Sequence, residues 1–300
     1  MAVVTGLLRM SLTTILQAIA GGLLLGGVYA LLAAGLTLIF GVMRVINFAQ
    51  AEFMMLGMFA AYFLATALNL DPLLLTLPVG VGVGLVGLGV ALGLLERVPR
   101  GDQNAQLILT LGVSLILQNL ALVALGPTPR VVVRSYTNAY WSPAGLFINH
   151  ARLYACVASL LIMGVLYLFL TRTWTGRAMR ATADDPVSAG GVGINVRRTH
   201  VIAFMVGSGL AGLAGTLMVT FIAAAPSIGN DFIVIIFLAV VLGGLGSVVG
   251  ATLGAFLVGL VQSLSGLLLP LQLQNVTLFI VFVAILLVRP QGLFGFRQRV

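Results

Sequence analysis

Asn47, Gln50 and Glu52 stand close together immediately ahead of an apolar run, Phe53-Met-Met-Leu-Gly-Met-Phe59. A carboxylate in such a setting costs several kcal/mol unless it is paired, hydrated or protonated. The stretch can line a translocation route for a polar solute. It can equally hold a structural ion pair, Glu52 with Arg44 or another arginine at the membrane edge, since residues 41–52 are expected near one membrane surface. Other chemistry is excluded more simply. Every one of the 15 basic residues is arginine, so a phosphate-loop lysine, a Schiff base and a Ser/Lys dyad are all ruled out. Cys156, His150 and His200 are too few and too scattered for a metal site or a disulfide. Ser208 and His200 sit about 12 Å apart along one helix, too far for a nucleophile and its base. No catalytic residue, metal or cofactor is expected.

The elements that must position these groups follow from composition. Of 300 residues, 60% are hydrophobic and 7% charged, whereas a soluble domain carries about a quarter charged. Several apolar runs exceed the roughly 18 residues that mark a membrane span, and they lack the alternation of a membrane β-barrel. The chain is therefore an all-α polytopic membrane protein. Spans fall at about 15–40, 48–69, 72–95, 105–126, 151–171, 200–225, 232–243, 249–268 and 274–289, giving eight or nine helices with one or two discontinuous or re-entrant segments. Gly243-Gly244-Leu245-Gly246-Ser247 is either a tight turn or a helix break. Ala18-Ile-Ala20 imitates a signal-peptidase site, but the apolar run continues to Phe40 and reads as a first membrane helix.

Arginine placement sets the orientation. With the N-terminus outside and the C-terminus in the cytoplasm, Arg44, Arg97, Arg100, Arg172, Arg177, Arg180, Arg197, Arg198, Arg289, Arg297 and Arg299 lie inside, and only Arg9, Arg130, Arg134 and Arg152 outside. The net charge of +8 is thus a topology signal and not a nucleic-acid footprint. Residues 127–150 become a loop on the outer face and 172–199 a cytoplasmic one within a single membrane domain, 1–300. The spacings Gly22-x-x-x-Gly26, Gly80-x-x-x-Gly84, Gly89-x-x-x-Gly93 and Gly246-x-x-x-Gly250-x-x-x-Gly254 suit helices packing within one subunit or across a dimer seam. Polar residues inside other spans are read mostly as interhelical hydrogen bonds. Gln118 and Asn119 lean to different faces, so at least one is a candidate to line a path.

In the cytoplasmic loop, Asp184-Asp185-Pro186 is a helix-start signal, with an aspartate cap and proline at the first helical position. A short helix is expected from Pro186 to Gly190-Gly191 or Gly193. Upstream, Gly176-Arg177-Ala-Met-Arg180 forms a basic turn, so the loop is two short helical pieces bent at the aspartates.

Four stretches together resemble the permease subunits of branched-chain amino acid ABC importers, the LivH type. They are Gly35 to Glu52 (GLTLIFGVMRVINFAQAE), Gly176 to Asp185 (GRAMRATADD) with Gly193-Ile-Asn195, Leu242 to Ser247 with Gly250, and Arg289 to Gly295 (RPQGLFG). The resemblance runs over nearly the whole chain. It implies a second homologous permease as partner, in a heterodimer or homodimer. It also implies two cytoplasmic ATP-binding subunits that dock on the loop holding Gly176, Arg177, Arg180, Asp184, Asp185, Pro186 and Gly193, a periplasmic binding protein that delivers the amino acid, and a place in the bacterial inner membrane. Gln50-Ala51 stands where the family commonly has His-Gly, and Gly190-Gly191 where it has a bulkier apolar pair. An ion-coupled carrier or channel is the alternative, for which Glu52 is the only acidic residue away from span ends.

Overall fold

The computed structural model describes residues 12–97, 103–142, 145–289 and 292. Arg9, Arg100, Asp102, Arg297, Arg299 and most of the stretch after Arg289 lie outside the described residues. The described chain forms α1 (Leu12–Met43), α2 (Gln50–Leu68), α3 (Pro72–Gly93), a short 3-10 turn (Leu95–Arg97), α4 (Gln103–Leu125), the two-residue strands β1 (Tyr140–Trp141) and β2 (Ile148–Asn149), α5 (His150–Arg172), α6 (Trp174–Asp184), α7 (Pro186–Gly191), α8 (Val196–Met218), α9 (Ile228–Gly243), α10 (Val248–Leu268) and α11 (Leu271–Val288). Seven of these helices are long and apolar enough to cross a membrane, and α9 and α11 supply two shorter apolar stretches. The protein is a multi-pass helical membrane protein.

Backbone contact at glycines organises the bundle. A Cβ at Gly215 would stand 2.1 Å from the Met54 carbonyl oxygen of α2, one at Gly207 2.7 Å from the Gly35 carbonyl oxygen of α1, and one at Gly209 3.1 Å from the Gly80 carbonyl oxygen of α3. Three neighbours thus close directly onto α8, which dispersion favours where lipid supplies no hydrophobic drive. Gly22 and Gly26 meet Gly259 and Phe256, pairing α1 with α10 in antiparallel fashion, and the Tyr29 hydroxyl donates to Gln262 Oε1 at 2.8 Å across the same seam. Gly80 and Gly84 face α8, whereas Gly89 and Gly93 have no neighbour within 4 Å.

The glycine-rich stretch after α9 is a tight turn, with Gly244 and Gly246 at φ of 101° and 88°. Gly246 therefore stands outside α10 in left-handed backbone, and only Gly250 and Gly254 pack α10 on α9. This corrects the expectation of one helix face carrying all three: the same four-residue spacing spans a turn as readily as a helix. A second break stands at residues 44–49, where α1 ends and the chain runs without helix into α2, overlapping the 41–47 stretch whose polar groups suggest a broken helix.

Two sets of loops end up at opposite ends. At one end Gln17 pairs both amide atoms with the backbone of Phe147, Arg130 and Ala224 exchange backbone hydrogen bonds, and Arg134 donates to Asn69, Ala65 and Leu70. The Tyr136 hydroxyl donates to Asp71 Oδ1 at 2.7 Å. Burial, then that carboxylate, pushes the Tyr136 phenol well above its usual range. At the other end, α6 and α7 gather under the break between α1 and α2.

Candidate functional site: a polar break tied to a capped helix pair

Arg44 begins the break with φ 59° and Asn47 stabilises it. Asn47 Oδ1 accepts from Ala49 N at 3.1 Å, an Asx turn that leads into α2, and its Nδ2 donates to Gln50 Oε1 at 3.2 Å. Gln50 Nε2 passes the chain of bonds on to the Gly207 carbonyl at 3.0 Å. Gly35 stands beside that amide, eight residues before the end of α1, so the polar break is folded back about 12 Å into the bundle. Gln50 therefore packs at the level of Gly35 and not at the end of α1.

Glu52 is 1% exposed. Its Oε1 accepts from the Ser114 hydroxyl at 3.4 Å, while Oε2 is buried without a partner. Gly229, near the start of α9, packs flat on the carboxylate: a Cβ there would stand 2.2 Å from Oε1. The ion pair with Arg44 does not form. Arg44 instead turns the other way, and its Nη2 donates to the Ala183 carbonyl in the last turn of α6 at 2.8 Å.

Helix α4 closes the break from the side. Thr110 Oγ1 approaches Ile46 O at 3.2 Å and Phe48 N at 3.4 Å, and Ser114 follows one turn later. Gln118, a further turn on, is half-buried, whereas Asn119 is exposed and its Nδ2 donates to Leu115 O of its own helix at 2.8 Å. Asn119 is thus not brought to the break, and Thr110, Ser114 and Gly229 are. Their signal in the sequence was weak, since a single hydroxyl or glycine inside a span is ordinary.

The second predicted group forms a small amphipathic unit. Thr173 caps α6 by accepting from Gly176 N at 3.0 Å, and Gly176 fits the corner because a Cβ would stand 2.3 Å from Phe169 O. What the sequence offered as a basic turn is an 11-residue helix. Ala178, Met179 and Thr182 face inward, while Arg177, Arg180 and Asp184 are exposed. Asp185 caps α7, accepting from Val187 N at 2.9 Å and from the Ser188 hydroxyl, and these hydrogen bonds hold its carboxyl below the usual range. The helix runs from Pro186 to Gly191, and Gly193 follows at φ 89°, in the left-handed backbone that ends the turn. Val187 and Val192 are 83% and 79% exposed, an apolar pair beside charged neighbours.

A multi-pass bundle with a buried polar break, and an exposed amphipathic helix pair tied to that break at one end, has the construction of a membrane transport permease. Residues 18–287 match the family described as branched-chain amino acid transport system / permease component, and the chain belongs to that family. It is 32% identical over 300 residues to the high-affinity branched-chain amino acid transport system permease protein LivH of Escherichia coli K12, covering 93% of this chain and 95% of the relative. Similarity to the corresponding protein BraD of Pseudomonas aeruginosa is 30% over 293 residues, with the same coverage. A probable LivH protein of the archaeon Methanocaldococcus jannaschii is 32% identical over 295 residues, covering 92% and 91%. No solved structure matches the chain.

Proposed function

We propose that this chain is the membrane permease subunit of an ATP-driven importer for branched-chain or other small amino acids in the plasma (inner) membrane. A second, homologous permease completes the translocation path. Two cytoplasmic ATP-binding subunits dock on residues 172–199, and a periplasmic binding protein delivers solute to the end formed by 127–150. The chain has no lysine for a phosphate loop, so ATP hydrolysis falls to the partner subunits.

The observation that carries this reading is the Arg44–Ala183 hydrogen bond. It joins the helix pair offered to an ATPase directly to the segment that leads through Asn47 and Gln50 to Glu52. A short helix held at both ends moves as a rigid body, and Arg44 passes that movement to the break. Exposed Arg177, Arg180, Asp184 and Asp185 give charge complementarity, and Val187 and Val192 an apolar anchor. Asp185→Lys in a complex reconstituted with its ATPases and binding protein should leave the chain inserted and assembled but uncoupled. Wild-type substrate-stimulated ATP hydrolysis in that variant would overturn the docking assignment.

One observation favours the alternative, an ion-coupled carrier: the unpartnered Oε2 of Glu52. A buried carboxylate is the usual coupling group of such proteins.

A further inference from the structure

A cavity of ≈ 300 Å³ opens at the end of the bundle opposite the α6–α7 pair, among Gln17, Arg152, Phe221 and the β1–β2 hairpin. Its volume is at the lower end of small-molecule pockets, roughly 300–1,000 Å³. Among the described residues Arg152 is the one charged side chain in its wall, and none of them that lines it is acidic. The guanidinium lies 5.9 Å from the centre of the Phe221 ring, a cation–π contact between two residues of the cavity wall. The site is firmly built. Asn149 fixes the backbone beneath Arg152 by accepting from its N–H at 3.1 Å, and donates to Thr137 O at 2.8 Å. Gln17 ties α1 to Phe147 of the hairpin side. The wall is mixed, with Leu24, Phe147 and Phe221 among its apolar residues and Gln17, Thr137 and Asn138 among its polar ones.

A planar cation facing a small, half-apolar enclosure recognises a carboxylate attached to a compact hydrocarbon group. We infer that Arg152 binds the carboxylate of a small apolar solute in this cavity, a first recognition site ahead of the polar break. The solute is thus selected as a carboxylate, and neutral amides of the same shape are rejected. This deepens the proposed function and rests on its placing solute entry at the 127–150 end. A carboxylate can also come from an acidic side chain of a docking protein. The cavity's volume and the apolar Leu24, Phe147 and Phe221 in its mixed wall favour a free solute, since a docking ion pair needs neither.

The test uses the full chain alone in lipid nanodiscs, with saturation-transfer NMR on three probes: L-leucine, 4-methylpentanoate, which lacks the ammonium, and L-leucinamide, which lacks the carboxylate. Leucine and 4-methylpentanoate should bind, and leucinamide at least tenfold more weakly. Arg152→Gln should weaken both carboxylates at least tenfold with an unchanged thermal unfolding midpoint, and Arg152→Lys, which keeps the charge but not the planar fork, should recover only part of that loss. Equal binding of leucinamide, or carboxylate binding unchanged in Arg152→Gln, would overturn the inference. So would a variant in which only docking of the periplasmic binding protein weakens, because the carboxylate would then belong to that protein. Failure of ATP-driven uptake with probe binding intact would count against the importer and leave this site standing.

Discussion

Replacing Arg44 separates the two things that residue does. Its backbone is left-handed, at φ 59°, which costs a residue bearing a side chain about 1–2 kcal/mol and glycine nothing. Its side chain donates to Ala183 O at 2.8 Å, at the negative end of α6. A charge-assisted bond of that kind is worth about 1.5–3 kcal/mol when buried. Arg44 is exposed, so about 1 kcal/mol is the proper scale, with the helix-dipole attraction of about 0.3–1 kcal/mol included in it. In Arg44→Gly the loss of the bond and the relief of strain nearly cancel, and the thermal unfolding midpoint should stay close to wild type. Arg44→Ala keeps the strain, loses the bond and should unfold about 1 kcal/mol more easily. The amount of substrate imported per ATP hydrolysed, measured in the reconstituted complex, should nevertheless fall by the same factor in both variants. A wild-type ratio in Arg44→Gly, or a loss seen only in the destabilised Arg44→Ala, would refute the coupling role.

Four further outcomes follow from the geometry. Gly176→Ala should destabilise the chain by about 1–3 kcal/mol, because the Cβ meets Phe169 O at 2.3 Å. Gly191→Ala should be neutral or stabilise α7 by about 0.5–1 kcal/mol, since nothing lies within 4 Å of the new methyl; thermal melts compare the two. Gly229→Ala should cost about 1–3 kcal/mol by pressing on the Glu52 carboxylate, and Glu52→Ala in the same chain should recover part of it, as a double-mutant cycle would read. Asp185 has a lowered carboxyl pKa in the fold, so its contribution to α7 is complete above the unfolded value of about 3.9 and is lost as pH falls through the lower folded value. The hydrogen-exchange protection factors of Val187 and Ser188 should therefore fall selectively at acid pH, and Asp185→Asn should remove that pH dependence.

The spans were legible because hydrocarbon thickness imposes a length on apolar runs, and α7 because Asp185-Pro186 is a local signal that needs no tertiary partner. Helix α6 was half-read: its inward face of Ala178, Met179 and Thr182 is apolar only in relation to the helices it lies on. The packing of Gln50 beside Gly35 was not legible, since it depends on how far α1 runs before the chain turns back. Gln50 and Gly207 are 157 residues apart, and Arg44 and Ala183 139, so no local spacing announces either bond. Gly229 carries no mark of its own until the Glu52 carboxylate is seen resting on it. Gly246 misled because a four-residue repeat of glycine says nothing about whether the backbone between is helical.

Uptake of radiolabelled leucine into proteoliposomes, with the chain alone and with its full set of partners, tests the account most directly. The account predicts no uptake by the chain alone under any imposed ion gradient, and uptake on addition of the second permease, the ATP-binding subunits, the binding protein and ATP. Gradient-driven uptake by the chain alone, abolished by Glu52→Gln, would contradict it and establish an ion-coupled carrier instead.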